Sequence, residues 1–176
     1  FGLFSQFEYS DDHFSAFVQG STSVQSYQRV DNFMKPGTLA VRGNSATAMN
    51  TKTGFKNIVG YNIKGGVNYN INENHNVFAN IGYYSKQPFF DSVYPNYKNF
   101  LNPLVTNEKI LGMELGYGFK SEFFNANLNL YRTSWKDRFL RKPNNLNLGG
   151  GREVRAFANI LGIEEIHQGV EVEANA

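Results

Sequence analysis

The chain has 176 residues, a formal net charge of +2 and no cysteine. That length suits one domain with its own core or part of a larger one, while the missing cysteines exclude a disulfide framework and thiolate metal ligation. The near-neutral balance, with no long Lys/Arg run, points away from nucleic acid, and no stretch approaches the roughly 18 consecutive apolar residues of a transmembrane helix.

The opening residues alternate at once: Phe1, Leu3, Ser5, Phe7 and Tyr9 against Gly2, Phe4, Gln6 and Glu8. A period of two marks a strand with two unlike faces. No basic segment or cleavage site precedes it, so the start reads as the middle of a strand whose leader lies elsewhere. Ser10 to His13 is a turn cluster, with aspartates suited to bonding the backbone ahead. A long strand is predicted from Phe14 to Val30. Residues 31–56 form a long polar connection with Pro36, Gly37, Gly43 and Gly54, and a short helical turn near Ala46 to Met49.

In the third strand Val59, Tyr61, Ile63, Val67, Tyr69 and Ile71 share one face, opposed by Gly60, Asn62, Lys64, Gly66, Asn68 and Asn70. Residues 72–75 turn it, and Val77, Ala79, Ile81 and Tyr83 return. A second long connection, 87–109, holds three prolines and the aromatics Phe89, Phe90, Tyr94, Tyr97 and Phe100. Next comes the clearest hairpin. Leu111, Met113, Leu115, Tyr117 and Phe119 alternate with glycines, Glu114 and Lys120; Phe124, Ala126, Leu128 and Leu130 alternate with Asn125, Asn127 and Asn129. Only the link around Ser121 and Glu122 separates the two runs, so they are antiparallel neighbours. The second run continues to Trp135 and the basic stretch Lys136 to Lys142. A third long connection is expected over 143–155, around the glycines at 149–151, and a last strand from Ile166 to Ala174.

Short and long connections therefore alternate along the chain, which in an antiparallel meander puts tight turns at one end and large loops at the other. Outer-membrane barrels have that asymmetry. The long strands and the tyrosines near strand ends (Tyr9, Tyr83, Tyr84, Tyr131) agree with it. Glycine and asparagine on the polar faces suit a crowded lumen packed against a plug or ligand. A soluble β-sandwich binding module is the alternative from another class. Seven strands in lipid would leave two edges of unpaired backbone groups, each costing several kcal/mol, so the segment needs further strands.

The stretches GYNIKGGVNYNIN (60–72), NVFANIGYYSKQPFFDSVYPNY (76–97), NEKILGMELGYGFK (107–120), NANLNLYRTSWKDRF (125–139) and IHQGVEVEA (166–174) resemble the barrel of TonB-dependent outer-membrane receptors, of the Bacteroidetes type. With FVQGSTSVQSYQRVD (17–31) the resemblance covers nearly the whole chain. It implies a transmembrane antiparallel β-barrel of about 22 strands around a plug, of which this all-β chain (1–176) supplies a partial barrel domain of about seven strands. Its plug domain and TonB box are absent from the sequence. A complete small outer-membrane barrel with a structural or adhesion role is the other reading. The implied function is TonB-energised uptake of a scarce ligand, of the siderophore, glycan or peptide class. The implied partners are the TonB complex, lipid and lipopolysaccharide, a surface lid lipoprotein, and a small-molecule or oligomeric ligand.

On that reading Lys64, Asn68, Glu114, Asn127, Asn129 and Glu171 are lumen- or plug-facing candidates, Glu114 and Glu171 above all. Tyr94, Tyr97, Arg138 and Arg141 are extracellular-loop ligand candidates. The loop aromatics beside amides could stack on a flat ligand or simply pack the loop. The basic cluster Lys136, Arg138, Arg141 and Lys142, with Arg152 and Arg155, could meet lipopolysaccharide phosphates or an anionic ligand. Trp135 is expected at the outer interface. His13, His75 and His167 make no metal set; no cofactor and no catalytic motif is indicated, so an enzyme is not expected.

Overall fold

A computed structural model describes residues 1–32 and 52–176. The helical turn expected near Ala46 to Met49 lies outside the described residues. Seven strands form one antiparallel sheet in chain order: β1 (Gly2–Ser10), β2 (Phe14–Tyr27), β3 (Lys56–Asn70), β4 (His75–Lys86), β5 (Glu108–Lys120), β6 (Asn125–Asn147) and β7 (Glu153–Asn175). The sheet is open, since β1 and β7 do not pair. No second sheet of the kind a sandwich requires packs on it among the described residues.

The alternation in sequence becomes two faces through the register. Val67, Ala79, Leu115, Leu130 and Val170 lie directly opposite one another from β3 to β7. Their face is apolar and bare: Leu115 is 54% and Val172 73% exposed. The only buried hydrophobic residues among those described are Val93 and Tyr94, which lie outside the sheet. A sheet that leaves its apolar side uncovered finds its complement in hydrocarbon rather than water. Within its apolar rows Arg132 stands opposite Met113, and the cations Lys109 and Lys136 follow on the same face toward its upper edge. An arginine facing lipid costs about 2–4 kcal/mol at the bilayer midplane and about 0–1 near the interface, which puts Arg132 toward the rim.

The polar face explains its own glycines. Phe17, Gly66, Asn80, Glu114, Tyr131 and Gly169 form one rung, and Asn68, Phe78, Gly116, Asn129 and Glu171 the next. A Cβ added at Gly116 would lie 2.1 Å from Cζ of Phe78. At Gly66 it would meet Asn80 and Phe17, at Gly82 Tyr84, and at Gly169 Tyr131. Large side chains thus lie flat across bare backbone, one strand over from or along their own strand. Neighbours within the sheet fill these gaps, and no plug or ligand is required to do so.

The short connections fall where the sequence puts them. At 10–13, Oδ1 of Asp11 accepts hydrogen bonds from the backbone N–H of His13 (2.9 Å) and Phe14 (2.8 Å). Those backbone donors hold the Asp11 carboxyl below its usual range. Ser121 plays the same part at the third turn, accepting from the N–H of Phe124 at 3.0 Å.

The third long connection is a correction. No loop spans 143–155: β6 and β7 stay paired from Asn125↔Asn175 up to Asn147↔Glu153. Only the turn 148–152 is left, with Gly149, Gly150 and Gly151 all at positive φ. Irregularities between Trp135 and Leu140, with positive φ at Asp137 and Gly162, interrupt the alternation that a sequence reading follows. Past them the ladder resumes through polar residues and Pro143, which carry no strand signal. The hairpin therefore rises about 40 Å along the strands beyond Trp135.

Candidate functional site

All six lumenal candidates lie on the polar face, brought together by register alone. Glu114 is the centre of that wall. Its carboxylate accepts from Nδ2 of Asn80 on β4 (3.0 Å) and from Nδ2 of Asn129 on β6 (2.6 Å). One acid is thereby shared by two amides from the flanking strands, and held without a cation. Asn68 accepts from Asn76 (2.8 Å) and donates to Asn70 (3.0 Å). Asn127 and Glu173 face each other, as do Asn129 and Glu171. Lys64 stands opposite Gly82, its ammonium 6.0 Å from the Phe17 ring centroid. The surface is a polar, amide-rich wall with isolated charges of both signs.

At the upper end the connection 87–107 contains a single helical turn, α1 (Phe90–Val93), and a 3-10 turn at Pro95–Tyr97. Its root is pinned to the sheet. Gln87 donates to the carbonyl and hydroxyl of Ser23 (3.0 and 2.7 Å), and Asn107 to Val59 O (2.7 Å) and Ser85 Oγ (2.9 Å). Tyr94 is 2% exposed. Its hydroxyl accepts from Thr53 Oγ1 at 3.1 Å and faces the carbonyls of Tyr27 and Gly54. Tyr94 therefore ties loop to sheet, and its ring is not offered to a ligand in this arrangement. Tyr97 closes the 3-10 turn; its side chain lies outside the described residues. Removing one hydroxyl tests the tie: Tyr94→Phe should cost about 1 kcal/mol and raise the rate of proteolytic nicking in 87–107 several-fold, with barrel assembly unchanged.

The basic cluster is divided. Arg141 meets Asp91 of α1 at 3.1 Å and stacks 5.1 Å from the Phe157 centroid, with Arg155 at 5.9 Å from the same ring. Arg138 pairs with Glu165 and lies 5.0 Å from the Trp135 ring. Lys136 instead pairs with Glu164 on the other side, at 3.4 Å. Trp135 is a second correction. It sits opposite Ile110 and Glu165 on the polar face, with the Lys86 ammonium 5.4 Å from its centroid, and not at the outer interface. Counting by twos from Tyr131 and Thr133 places it there; its amphipathic ring suggested otherwise. Lys86 also pairs with the buried Glu108 (2.8 Å) and covers Phe89 at 4.4 Å. This cluster of Lys86, Phe89, Glu108, Trp135 and Arg138 went unread in the sequence.

No group of three His, Cys, Asp or Glu residues able to hold a metal ion occurs among the described residues. The family profile described as "TonB dependent receptor-like, beta-barrel" matches residues 2–176. The chain belongs to this family of TonB-dependent receptors. Members of the family are outer-membrane proteins, which fits the apolar outer face and places the tight turns on the periplasmic side and the tall hairpin outside. Among solved structures, "Copper transporter OprC" is similar with a TM-score of 0.71 and 12% sequence identity, over 98% of this chain. The match spans about a quarter (26%) of that protein. At this identity the likeness is one of fold: the seven strands of this TonB-dependent receptor barrel follow part of a larger barrel wall. No curated protein sequence matches the chain.

Proposed function

We propose that this chain supplies part of the barrel of a receptor that takes up a scarce ligand across the outer membrane, driven through TonB by the inner-membrane proton gradient. The carrying observation is the sheet itself: an apolar outer face and an amide-rich inner face, in a chain matched along residues 2–176 by the receptor family. On this reading the plug domain and the TonB-contacting segment belong to other parts of the receptor. The wall around Glu114, with Lys64, Asn68, Asn127, Asn129 and Glu171, faces the plug or the permeating ligand. Wall contact of this kind is polar and exchangeable, as a passage that must open and close requires.

Ligand capture falls to the upper cluster. Arg138 and Arg141 stand beside Trp135 and Phe157, with Tyr97 in the neighbouring loop and Tyr94 holding that loop in place. Guanidinium next to aromatic faces favours a ligand with planar or anionic groups, whether siderophore, glycan or peptide. A lid lipoprotein over the loops and lipopolysaccharide around the rim complete the proposed surroundings. The test is uptake by cells carrying the full-length receptor, assayed against a panel of these ligand classes. Uptake of one ligand that stops when TonB is deleted or the proton gradient is collapsed is expected. Uptake that survives both would overturn the energised mechanism.

A further inference from the structure

The connection 87–107 does not stand out from the end of the sheet; it turns onto the polar face. The ladders run without a shift up to Tyr27 and Lys86, so Ser23, Tyr27, Gly60 and Lys86 share that face with Phe17, Gly66, Asn80 and Glu114. The connection touches all four. The Gln87 side chain fills the space that a Cβ on Gly60 would need, and it donates to the Ser23 hydroxyl at 2.7 Å. The Tyr27 hydroxyl donates to the Pro88 carbonyl at 2.6 Å. The Phe89 ring covers the Lys86 ammonium, which also faces Trp135 of the same side. Farther along, Nε of Arg29 donates to Oδ1 of Asn99 at 2.8 Å.

The connection also carries its own small core. Val93, Tyr94, Ser92, Asn99 and Asn102 are buried in it. The Asn102 amide donates to the Ser92 carbonyl and accepts from the N–H of Leu104, both at 3.0 Å, while its backbone N–H donates to the Val93 carbonyl at 2.9 Å. Segments that open readily have few buried contacts and exposed backbone hydrogen bonds; this one has the reverse. A lid swings on a few hinge residues, whereas here the anchors are spread from Gln87 to Asn107. We propose that residues 87–107 form a fixed shelf inside the mouth of the barrel, which narrows the passage above the Glu114 wall and bars it to bulky solutes. A connection laid on the inner face takes room that an outward loop leaves open. The inference rests on the polar face being the inner one and not on energy from TonB.

Neither arm of the test measures transport, so the shelf and the uptake mechanism can fail separately. Hydrogen exchange of the full-length receptor in detergent reads fixity: peptides covering Ser92 to Asn102 should exchange at least ten-fold more slowly than the tip at 148–152. Exchange as fast as the tip would make the connection a mobile loop and sink the shelf. Thiol labelling in intact cells reads the narrowing. Thr133 lies on the polar face one rung below Trp135, on the row of Gly112, Gly82 and Lys64, and this segment has no cysteine of its own. In a Thr133→Cys receptor a small maleimide should react at least ten-fold faster than a bulky polyethylene-glycol maleimide. Replacing 89–105 by a short Gly-Ser link should speed the bulky reagent at least five-fold. Should that variant fail to assemble, Tyr27→Phe with Gln87→Ala cuts two inward ties and should speed it at least two-fold. A bulky reagent that labels the unshortened receptor as fast as these variants would show that the connection leaves the passage open.

Discussion

Leu115→Arg should abolish accumulation of the receptor in the outer membrane. Leu115 lies between Ala79 and Leu130 in the middle rung of the apolar face, and more than half its surface is bare for lipid to cover. A guanidinium there has hydrocarbon on every side except the sheet, and the cost is about 2–4 kcal/mol. No carboxylate shares its rung. Asn127→Asp is the matched control: it adds a charge to the opposite, wet face, beside Glu173. Repulsion between directly opposite carboxylates should cost no more than about 1 kcal/mol, and the variant should assemble. Heat-modifiable mobility in outer-membrane fractions reads both. Two equally harmless variants would mean that the faces are assigned the wrong way round.

Gly116→Leu should be nearly as damaging, for a steric reason. The space that its Cβ needs is held by the Phe78 ring, at 2.1 Å, and the whole side chain would have to displace that ring from the wall. Overpacking of this kind costs about 1–3 kcal/mol. The diagnostic is the pair. Phe78→Ala with Gly116→Leu should regain most of the lost unfolding stability, because the leucine then occupies the vacated place. Two independent losses that simply add would show that Phe78 and Gly116 are not coupled. Thermal unfolding of the purified receptor in detergent measures all three variants.

The hairpin from Leu111 to Tyr131 was legible because its two faces face different solvents, and selection for each leaves a period of two in the residues. The same logic gave the sides of Lys64, Asn68, Glu114, Asn127, Asn129 and Glu171. It failed where the two solvents cease to differ. Beyond Trp135 the hairpin stands above the membrane, so Asn144, Asn145 and Asn147 are strand residues that look like loop. Trp135 was misplaced by its chemistry while its parity was right. Glu114 shows a further limit: a sequence shows the acid on its face, but the two amides that hold it come from β4 and β6, one of them 34 positions away. Tyr94 likewise gave no sign that its hydroxyl would be turned inward, since a buried tie and an exposed stacking ring have the same composition.

The triglycine tip between β6 and β7 has a practical bearing. Nothing approaches within 4 Å of where side chains would sit on Gly149, Gly150 or Gly151. Their positive φ angles make replacement by other residues strained, yet such an open tip is well suited to insertion, which leaves the ladder below it intact. A short epitope placed after Gly150 would be carried at the end of the two-stranded ladder, beyond the last pair Asn147↔Glu153. That makes the tip a place to attach a label for counting receptors on living cells while uptake goes on beneath it.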